Sequence, residues 1–329
     1  MIKYFIKRTL LLIPILLAVT LLIYIGMNLA KGSYVDTLVN EDMTDQEIEA
    51  LREQFGLNKP VLVRYGEYVW GMLHGDLGTS YTTKYKVWDL FWQRFPNTFW
   101  LALSSTFVCW IIALPLGIIS ARRAGGIIDN ICNVIGVIGL ATPNFWLGLL
   151  LILLFAVKLH WLPAMGFTQG IKSLILPAFT IGTGQTATLM RITRSSMVEA
   201  LHQDYLRTAR AKGVSERRVV NRHALRNAGI PILNIALGVF IGNFAGAMLT
   251  EQVFSFPGIG VMIVQSVNSR DIPMACGFIT MKCIIITILG TLRDMAFVLV
   301  DPRVKSMYVS DKKRKKKQLA EKKTSANAA

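Results

Sequence analysis

Charged residues are scarce in this chain of 329 residues: they make up 17% of it, whereas hydrophobic residues make up 53%. The mean hydropathy of +0.45 is higher than a soluble fold of this length requires, so the composition indicates an integral membrane protein. A net charge of +16 can also mark a nucleic-acid-binding protein. Here the basic residues lie between apolar runs, and we expect them to contact the bilayer surface and no nucleic acid.

Cysteine and histidine are rare, with four of each. The cysteines lie inside apolar stretches and lack the paired spacing of a disulfide framework or a zinc site; they are Cys109, Cys132, Cys276 and Cys283. The histidines are scattered along the chain; they are His74, His160, His202 and His223. We therefore expect no metal site.

Catalytic signatures are also missing from the sequence. It has no GxxxxGK(S/T) phosphate-binding loop, so the chain is not expected to bind ATP by itself. Its apolar runs hold no nucleophile paired with a base. The sequence thus predicts a non-catalytic protein without a cofactor of its own.

Six predominantly apolar runs are long enough, at about 20 residues, to cross ~30 Å of hydrocarbon as helices. They cover residues 9–27, 98–120, 128–157, 174–190, 231–250 and 275–300. The sequence thus predicts an all-α, polytopic membrane protein with six transmembrane helices. Pro143 and Asn144 interrupt the third run, which we interpret as one long kinked helix, because two short spans would invert every later loop.

The distribution of Lys and Arg predicts the orientation. Most of them lie in the N-terminal stretch, in the segment 191–226 and after residue 301. The positive-inside tendency therefore places these segments and both termini in the cytoplasm. The first run follows basic residues as a signal peptide does, but it is too long and lacks a cleavage site, so we expect a retained span.

This topology divides the chain into an N-terminal span (1–30), an extracytoplasmic region (31–97), a transmembrane core (98–302) and a basic tail (303–329). In the second region, Thr44 and Glu47 form a capping-box pattern that predicts a short helix, and Gly56 predicts its end. The tail has a composition that cannot bury a core, and it is predicted to be disordered.

The cytoplasmic segment 199–228 is long for a connector. Helix-forming residues run from Asp204 to Lys212, Gly213 breaks them, and Ser215 with Glu216 can open a second helix that ends near Pro231. Two interpretations fit this pattern. The helix pair can lodge in a groove on a soluble partner, or it can lie on lipid headgroups.

Residues 204–213 (DYLRTARAKG) and 223–228 (HALRNA) resemble the EAA-type loop of ABC importer permeases, in the version found in the dipeptide, oligopeptide and nickel family. Similar motifs occur along nearly the whole chain: GLNKP (56–60), GDLGTS (75–80), PxF (143–145), RxxRSSM (191–197), TEQVFSFPGIG (250–260) and DPR (301–303). The last span departs from the family pattern at Cys276, Lys282, Gly290 and Arg293.

The resemblance implies a type I ABC importer transmembrane fold and a permease subunit in a prokaryotic cytoplasmic membrane. Its implied partners are a second homologous permease, two ATP-binding subunits that hold ATP and Mg²⁺, an extracytoplasmic binding protein and the lipid bilayer. The implied substrates are dipeptides or oligopeptides, with nickel chelates or glutathione as alternatives. An ion-gradient-driven secondary transporter would instead place ionisable groups inside its spans, and here the span interiors hold only Lys282, Arg293 and Asp294.

The resemblance also assigns candidate site residues. Those expected to dock into an ATPase cleft are Asp204, Tyr205, Arg207, Thr208, Ala209, Arg210, Lys212 and Gly213. Independently of the resemblance, residues that interrupt the apolar helices or add polar groups to them indicate either close helix packing or a translocation path. On the second interpretation, the path residues are Pro143, Asn144, Thr183, Gln185, Asn234, Asn243 and Lys282. Those expected to contact the binding protein are Asp76, Gly78, Glu251, Phe256, Pro257, Arg270 and Asp271. For Lys282, a helix-partnered lysine is the competing interpretation.

Overall fold

A computed structural model describes residues 2–30, 32–39 and 43–300 of the chain, and the basic tail 303–329 lies outside them. These residues form thirteen α-helices and no β-strand. The helices are α1 (Ile2–Leu29), α2 (Asp45–Gln54), α3 (Val61–Leu73), α4 (Val87–Arg122), α5 (Ile127–Ala141), α6 (Asn144–Leu151), α7 (Lys172–Leu201), α8 (Asp204–Ala211), α9 (Glu216–Arg218), α10 (Leu225–Gly246), α11 (Met248–Val253), α12 (Ile259–Asn268) and α13 (Ile272–Val300). The all-α prediction is confirmed.

Four helical segments within the described ranges are long and apolar enough to cross a membrane: Leu10–Leu29, Val87–Arg122, Glu216–Gly246 and Ile272–Phe297. A fifth candidate is the bent pair Ile127–Ala141 and Asn144–Lys158. Many large apolar side chains on these helices are exposed, as they are in a protein whose surface faces lipid. The multi-pass prediction is therefore confirmed, although the count of six is not matched by these candidates.

The predicted span 174–190 lies inside α7, which has 30 residues but is not among the apolar candidates. Helix α7 packs against α4, α5, α6, α10 and α11. A helix that is enclosed by other helices needs little lipid-facing surface, so it can carry more polar residues than its neighbours. Two glycines bring α7 close to α4: a Cβ on Gly182 would lie 2.6 Å from the Ser105 carbonyl oxygen, and one on Gly117 would lie 2.8 Å from the Met190 carbonyl oxygen.

The third apolar run is not one long kinked helix. Helix α5 ends at Ala141, α6 begins at Asn144, and the two are bent by 97°. Thr142 is extended (φ −80°, ψ 119°), which is the conformation favoured before proline, and Pro143 cannot donate a backbone hydrogen bond. The run is therefore a broken helix, and its second arm continues from α6 into a π-helical segment, Ile152–Lys158.

The region 31–97 contains the predicted capping box: Glu47 N donates to Thr44 Oγ1 and Thr44 N donates to Glu47 Oε2. Gly56 follows this helix in the left-handed conformation (φ +63°), as predicted. Helix α3, however, lies along two spans. Tyr65 Oη donates to the carbonyl oxygen of Leu17 in α1 at 2.8 Å, and Tyr68 Oη lies 3.4 Å from Thr280 Oγ1 in α13.

Candidate functional site

Helix α8 forms a small projection between α7 and α9. Leu206 is its one fully buried side chain, and it packs with Val219, Val220 and Ala224 beneath the helix bundle. Ala209 is half-buried against the same cluster. The other predicted docking residues are exposed, and we name them the coupling surface: Asp204, Tyr205, Arg207, Thr208, Arg210, Lys212 and Gly213.

The chain turns sharply after α8, as predicted from Gly213. Gly213 has a φ of +78°, its N–H donates to the Arg210 carbonyl oxygen at 2.9 Å, and the N–H of Val214 donates to the Ala209 carbonyl oxygen at 3.2 Å. A Cβ at this position would meet nothing within 4 Å. Glycine is therefore required here by the left-handed backbone conformation and not by lack of space.

A forked ion pair braces this turn. Arg210 Nε and Nη2 each donate to one carboxylate oxygen of Glu216 at 3.0 Å. The Glu216 carboxylate raises the pKa of the Arg210 guanidinium. The pair joins the end of α8 to the first residue of α9, so the two helices are held in a fixed relative position.

The sequence had indicated that the helix opened by Ser215 and Glu216 ends near Pro231, but in the structure it continues past this residue. It runs from Glu216 through a π-helical segment, Val219–Ala224, and through Pro231 to Gly246. Proline is tolerated inside membrane helices, where neighbouring helices satisfy the freed backbone groups. The coupling surface is therefore joined directly to a span.

A cavity of about 260 Å³ lies between the broken helix, α7 and α10. It brings together three of the predicted path residues, Asn144, Gln185 and Asn243. Glycines make room for two of them: a Cβ on Gly184 would lie 2.8 Å from Asn144 Oδ1, and one on Gly242 would lie 3.5 Å from Gln185 Nε2.

The other four predicted path residues do not line this cavity. Pro143 caps α6 beside it, and the Thr183 hydroxyl donates to carbonyl oxygens of its own helix. Asn234 lies on α10, nearer its start than the cavity. Lys282 is buried, and its Nζ donates to the Ala245 carbonyl oxygen at 2.9 Å, so the structure favours the helix-partnered lysine.

Glu251 was predicted to meet a binding protein, but its side chain is 0% exposed. Its carboxylate accepts hydrogen bonds from Thr98 Oγ1 and Gly260 N, each at 2.6 Å, and from Val261 N. It therefore satisfies free N–H groups in the first turn of α12 and ties that helix to α4. This is a correction: the carboxylate is hydrogen-bonded inside the protein and offers no surface to a partner.

Asp271 and Phe256 are likewise 0% exposed, which corrects their predicted partner contact. The carboxylate of Asp271 accepts from Ser80 Oγ at 2.6 Å and from Thr82 N at 3.1 Å, so it fixes the loop before α4. The remaining predicted contact residues, Asp76, Gly78, Pro257 and Arg270, keep exposed or partly exposed surface.

The family described as binding-protein-dependent transport system inner membrane component matches residues 113–306, and its N-terminal region matches residues 1–102. The chain belongs to this family. The resemblance found in the sequence is thereby confirmed for nearly the whole length of this permease.

Curated relatives of the permease agree with this assignment. An oligopeptide transport system permease protein, AppB of Bacillus subtilis, is 39% identical over 92% of this chain and 99% of its own. A di/tripeptide permease, DppB of Pseudomonas aeruginosa, is 35% identical over 93% and 99%. A glutathione permease, GsiC of Pectobacterium atrosepticum, is 37% identical over 93% and 99%.

Solved structures support the fold. The MetNI methionine ABC transporter, in inward-facing conformations, superposes with a TM-score of 0.55 at 18% identity, over 64% of this chain and 96% of that one. At this identity the similarity concerns the fold alone. The permease therefore has the transmembrane fold of ABC importers, as the sequence predicted.

One polar cluster in the permease was missed by sequence reasoning. Asp129 at the start of α5 is buried and accepts hydrogen bonds from Ser120 of α4, from Gly125 N and from Arg194 of α7. Arg194 belongs to the RxxRSSM motif noted in the sequence, but nothing in the local pattern of the chain identifies its partner. The cluster joins three helices on the α8 side of the bundle.

Proposed function

We propose that this permease imports peptides as one of two homologous membrane subunits, with two ATP-binding subunits supplying energy and an extracytoplasmic binding protein delivering the substrate. The names of the oligopeptide and di/tripeptide relatives support the substrate class. Glutathione is a second candidate because of the glutathione relative, and it is itself a short peptide. This chain contributes the path and hydrolyses nothing itself.

The observation that carries the proposal is the attachment of α8. The helix has one buried anchor, Leu206, an exposed polar surface and a braced turn that leads straight into the span Glu216–Gly246. A helix mounted in this way fits a groove on a soluble partner, and its displacement moves the span with it. Closure of the ATP-binding subunits would thus shift α10 against α7.

This assignment implies an orientation. The coupling surface and both termini lie in the cytoplasm of a prokaryote, and the binding protein approaches the opposite face of the membrane. On that face, the residues left for contact are those with exposed surface: Asp76, Gly78, Pro257 and Arg270. The basic segment 191–226 on the coupling side agrees with the positive-inside tendency.

An ion-gradient-driven transporter is the alternative class. It needs ionisable groups that face the substrate path. Here Lys282 donates to a main-chain carbonyl and Arg293 bonds to Asp294 at 2.8 Å. None of these three residues lines the cavity, which is surrounded by neutral residues. We therefore favour an ATP-driven mechanism.

The test is uptake by the complete transporter, purified with its co-expressed partner subunits and reconstituted in liposomes. We expect ATP-dependent accumulation of labelled dipeptides and tripeptides. Accumulation driven by a proton gradient without ATP would instead favour the alternative, and transport of a nickel chelate but no peptide would overturn the proposed substrate class.

Two matched tryptophan variants test whether α8 docks into a groove on the ATP-binding subunit. Ala211 is exposed on α8, and Ala124 is exposed in the loop after α4. Ala211→Trp should abolish ATP-dependent uptake by blocking the groove, whereas Ala124→Trp should leave it unchanged. Equal uptake by both variants would show that α8 does not enter a partner.

A further inference from the structure

The guanidinium of Arg94, near the start of α4, has no hydrogen-bond or ion-pair partner among the residues that the structure describes. Of its three nitrogens only Nε lacks accessible surface, so Nη1 and Nη2 remain accessible on a side chain that is otherwise half-buried. A half-buried cation has lost part of its hydration, and that loss is costly unless an acceptor replaces the water. Arg94 therefore presents two free donor groups to any acceptor that reaches them.

Two neighbours on α4 show which way Arg94 faces. Asn97 Nδ2 donates to the Pro257 carbonyl oxygen at 2.8 Å. Thr98 Oγ1 accepts from Ile259 N, also at 2.8 Å. Residues three and four apart share one face of a helix, so Arg94 lies on the face of α4 that meets the loop before α12. Because Cα–Cβ bonds tilt towards the start of a helix, its head group extends past these contacts towards the N-terminal end of α4.

A cavity of about 210 Å³ opens at this position. Arg94 is the one charged residue among the described residues that line it, and exposed polar side chains accompany it: Gln252, Ser255 and Gln265. Pro257, Val261 and Met262 complete the lining. Pockets for whole small-molecule ligands measure about 300–1,000 Å³, so this cavity has room for a single chemical group.

Hydrogen bonds hold the walls of this cavity in place. Thr98 Oγ1 donates to the Glu251 carboxylate at 2.6 Å, and the same carboxylate accepts from Gly260 N. The loop 254–258 is therefore tied to α4 on both sides. A site whose walls are already fixed loses little conformational entropy when a group enters it.

The chemistry of the lining selects an acidic group. A guanidinium presents a planar fork of N–H donors that matches the two oxygens of a carboxylate. The side-chain amides of Gln252 and Gln265 can donate to the same oxygens. The cavity therefore suits the carboxylate of one Asp or Glu side chain.

The position of the cavity favours a protein partner over the transported peptide. Arg94 precedes Thr106, which contacts Asn243 beside the broken helix, by twelve residues, or about 18 Å along α4. An extended tripeptide spans about 11 Å, so a peptide beside the broken helix does not reach Arg94. The rim instead includes Pro257, which has exposed surface on the face opposite α8.

We propose that this cavity is a docking point for the extracytoplasmic binding protein, which inserts the carboxylate of one acidic side chain between the two terminal nitrogens of Arg94. The inference rests on the proposed function, which supplies the partner and the outward orientation of this end of α4. The binding protein then provides the acceptor that the permease itself lacks, and the contact fixes how the two proteins are aligned.

The experiment measures the affinity of the purified binding protein for the complete transporter in lipid nanodiscs without ATP. Arg94→Gln removes the charge and the fork, and we expect Kd to rise about tenfold to a hundredfold, the loss of hydrogen bonds to a charged group. Arg94→Lys keeps the charge without the fork, so its Kd should lie between those of the wild type and Arg94→Gln.

The matched control is Arg52→Gln, which removes an equal charge from an exposed arginine in the region 31–97 on the same side of the membrane. Because solvent and salt screen exposed charges, it should change Kd by less than about twofold. Gln265→Glu keeps Arg94 and tests the opposite wall of the cavity. Its carboxylate would pair with the guanidinium and repel an incoming acid, so Kd should again rise about tenfold.

The failures are distinguishable. If the wild-type transporter binds no binding protein, the proposed function fails. If it does, and both Arg94→Gln and Gln265→Glu bind as tightly as the wild type, the docking point is wrong. If affinity is unchanged but Arg94→Gln raises the KM for peptides with a free terminal carboxylate, Arg94 meets the substrate and the docking inference is overturned. If Arg94→Gln does not assemble, Gln265→Glu decides by the same measurement.

Discussion

Arg194 and Asp129 form a two-point ion pair, with Nε to Oδ1 and Nη2 to Oδ2 both at 2.6 Å. The Asp129 side chain is 2% exposed, whereas that of Arg194 is 30% exposed. The pair therefore has one partner in contact with solvent and one enclosed by protein. Without its guanidinium, the enclosed carboxylate would keep only Ser120, Gly125 N and Asn133 as donors.

Arg194→Leu should destabilise the permease by roughly 3 kcal/mol, the lower end for breaking a buried pair, because the arginine is partly solvated. The measurement is the thermal unfolding of the purified complex. Asp129→Asn combined with Arg194→Leu should recover part of the loss, since no unpaired charge then remains. If Arg194→Leu alone leaves the permease as stable as the wild type, this account is wrong.

Glu251→Ala should loosen α12 from α4. Three donors lose their acceptor, and a buried donor left without a partner costs about 1–3 kcal/mol. Amide hydrogen exchange within Ile259–Asn268 should become faster. The neighbouring Gln252 is exposed, so Gln252→Ala should leave exchange unchanged. If both variants exchange alike, the carboxylate does not hold this helix.

Gly213 and Gly229 form a matched pair, because a Cβ on either meets nothing within 4 Å and only Gly213 has a positive φ. Gly213→Ala should cost about 1–2 kcal/mol in backbone strain, whereas Gly229→Ala in the helix should be neutral or mildly stabilising. The readouts are the melting temperature and the ratio of peptide transported to ATP hydrolysed. Equal effects of the two substitutions would remove the special role of the left-handed turn.

Helix α3 should contact lipid. Tyr65 reaches Leu17, which lies twelve residues, or about 18 Å, from the end of α1 at Leu29. Leu62, Trp70 and Leu73 on α3 are exposed. Leu73→Cys should therefore react with a membrane-soluble thiol reagent and resist a water-soluble one. Glu49→Cys on exposed α2 should show the opposite pattern, and ready labelling of both by the water-soluble reagent would place α3 in water.

The sequence predicted well the features that depend on neighbouring residues. The capping box of Thr44 and Glu47 and the turn at Gly213 are local, and both occur as predicted. Four of the six predicted spans also overlap apolar helices that are long enough to cross a membrane. The course of the chain at the two prolines was harder to predict: Pro143 breaks the helix and Pro231 does not, because their effect depends on which helices surround them.

Contacts between residues that are far apart along the chain could not be predicted from the sequence. Glu251 and Thr98 are 153 positions apart, and Asp271 and Ser80 are 191 apart. A carboxylate in a predicted loop looks exposed until its partner is known, so both acids were assigned to an outer surface. The same limit applies to the cavity. Asn144, Gln185 and Asn243 were selected as polar residues in apolar helices, but that they line one cavity follows only from the packing of α7 against α10.

The unbroken helix from Glu216 to Gly246 has a mechanical consequence. Asn243 lies 27 residues beyond Glu216, which is about 40 Å along the axis. A tilt of about 5° around the turn at Gly213 displaces a point at that distance by roughly 3.5 Å. Such a lever arm moves Asn243 by more than the length of a hydrogen bond, so a small rotation beneath the membrane is enough to shift the α10 wall of the cavity against α7.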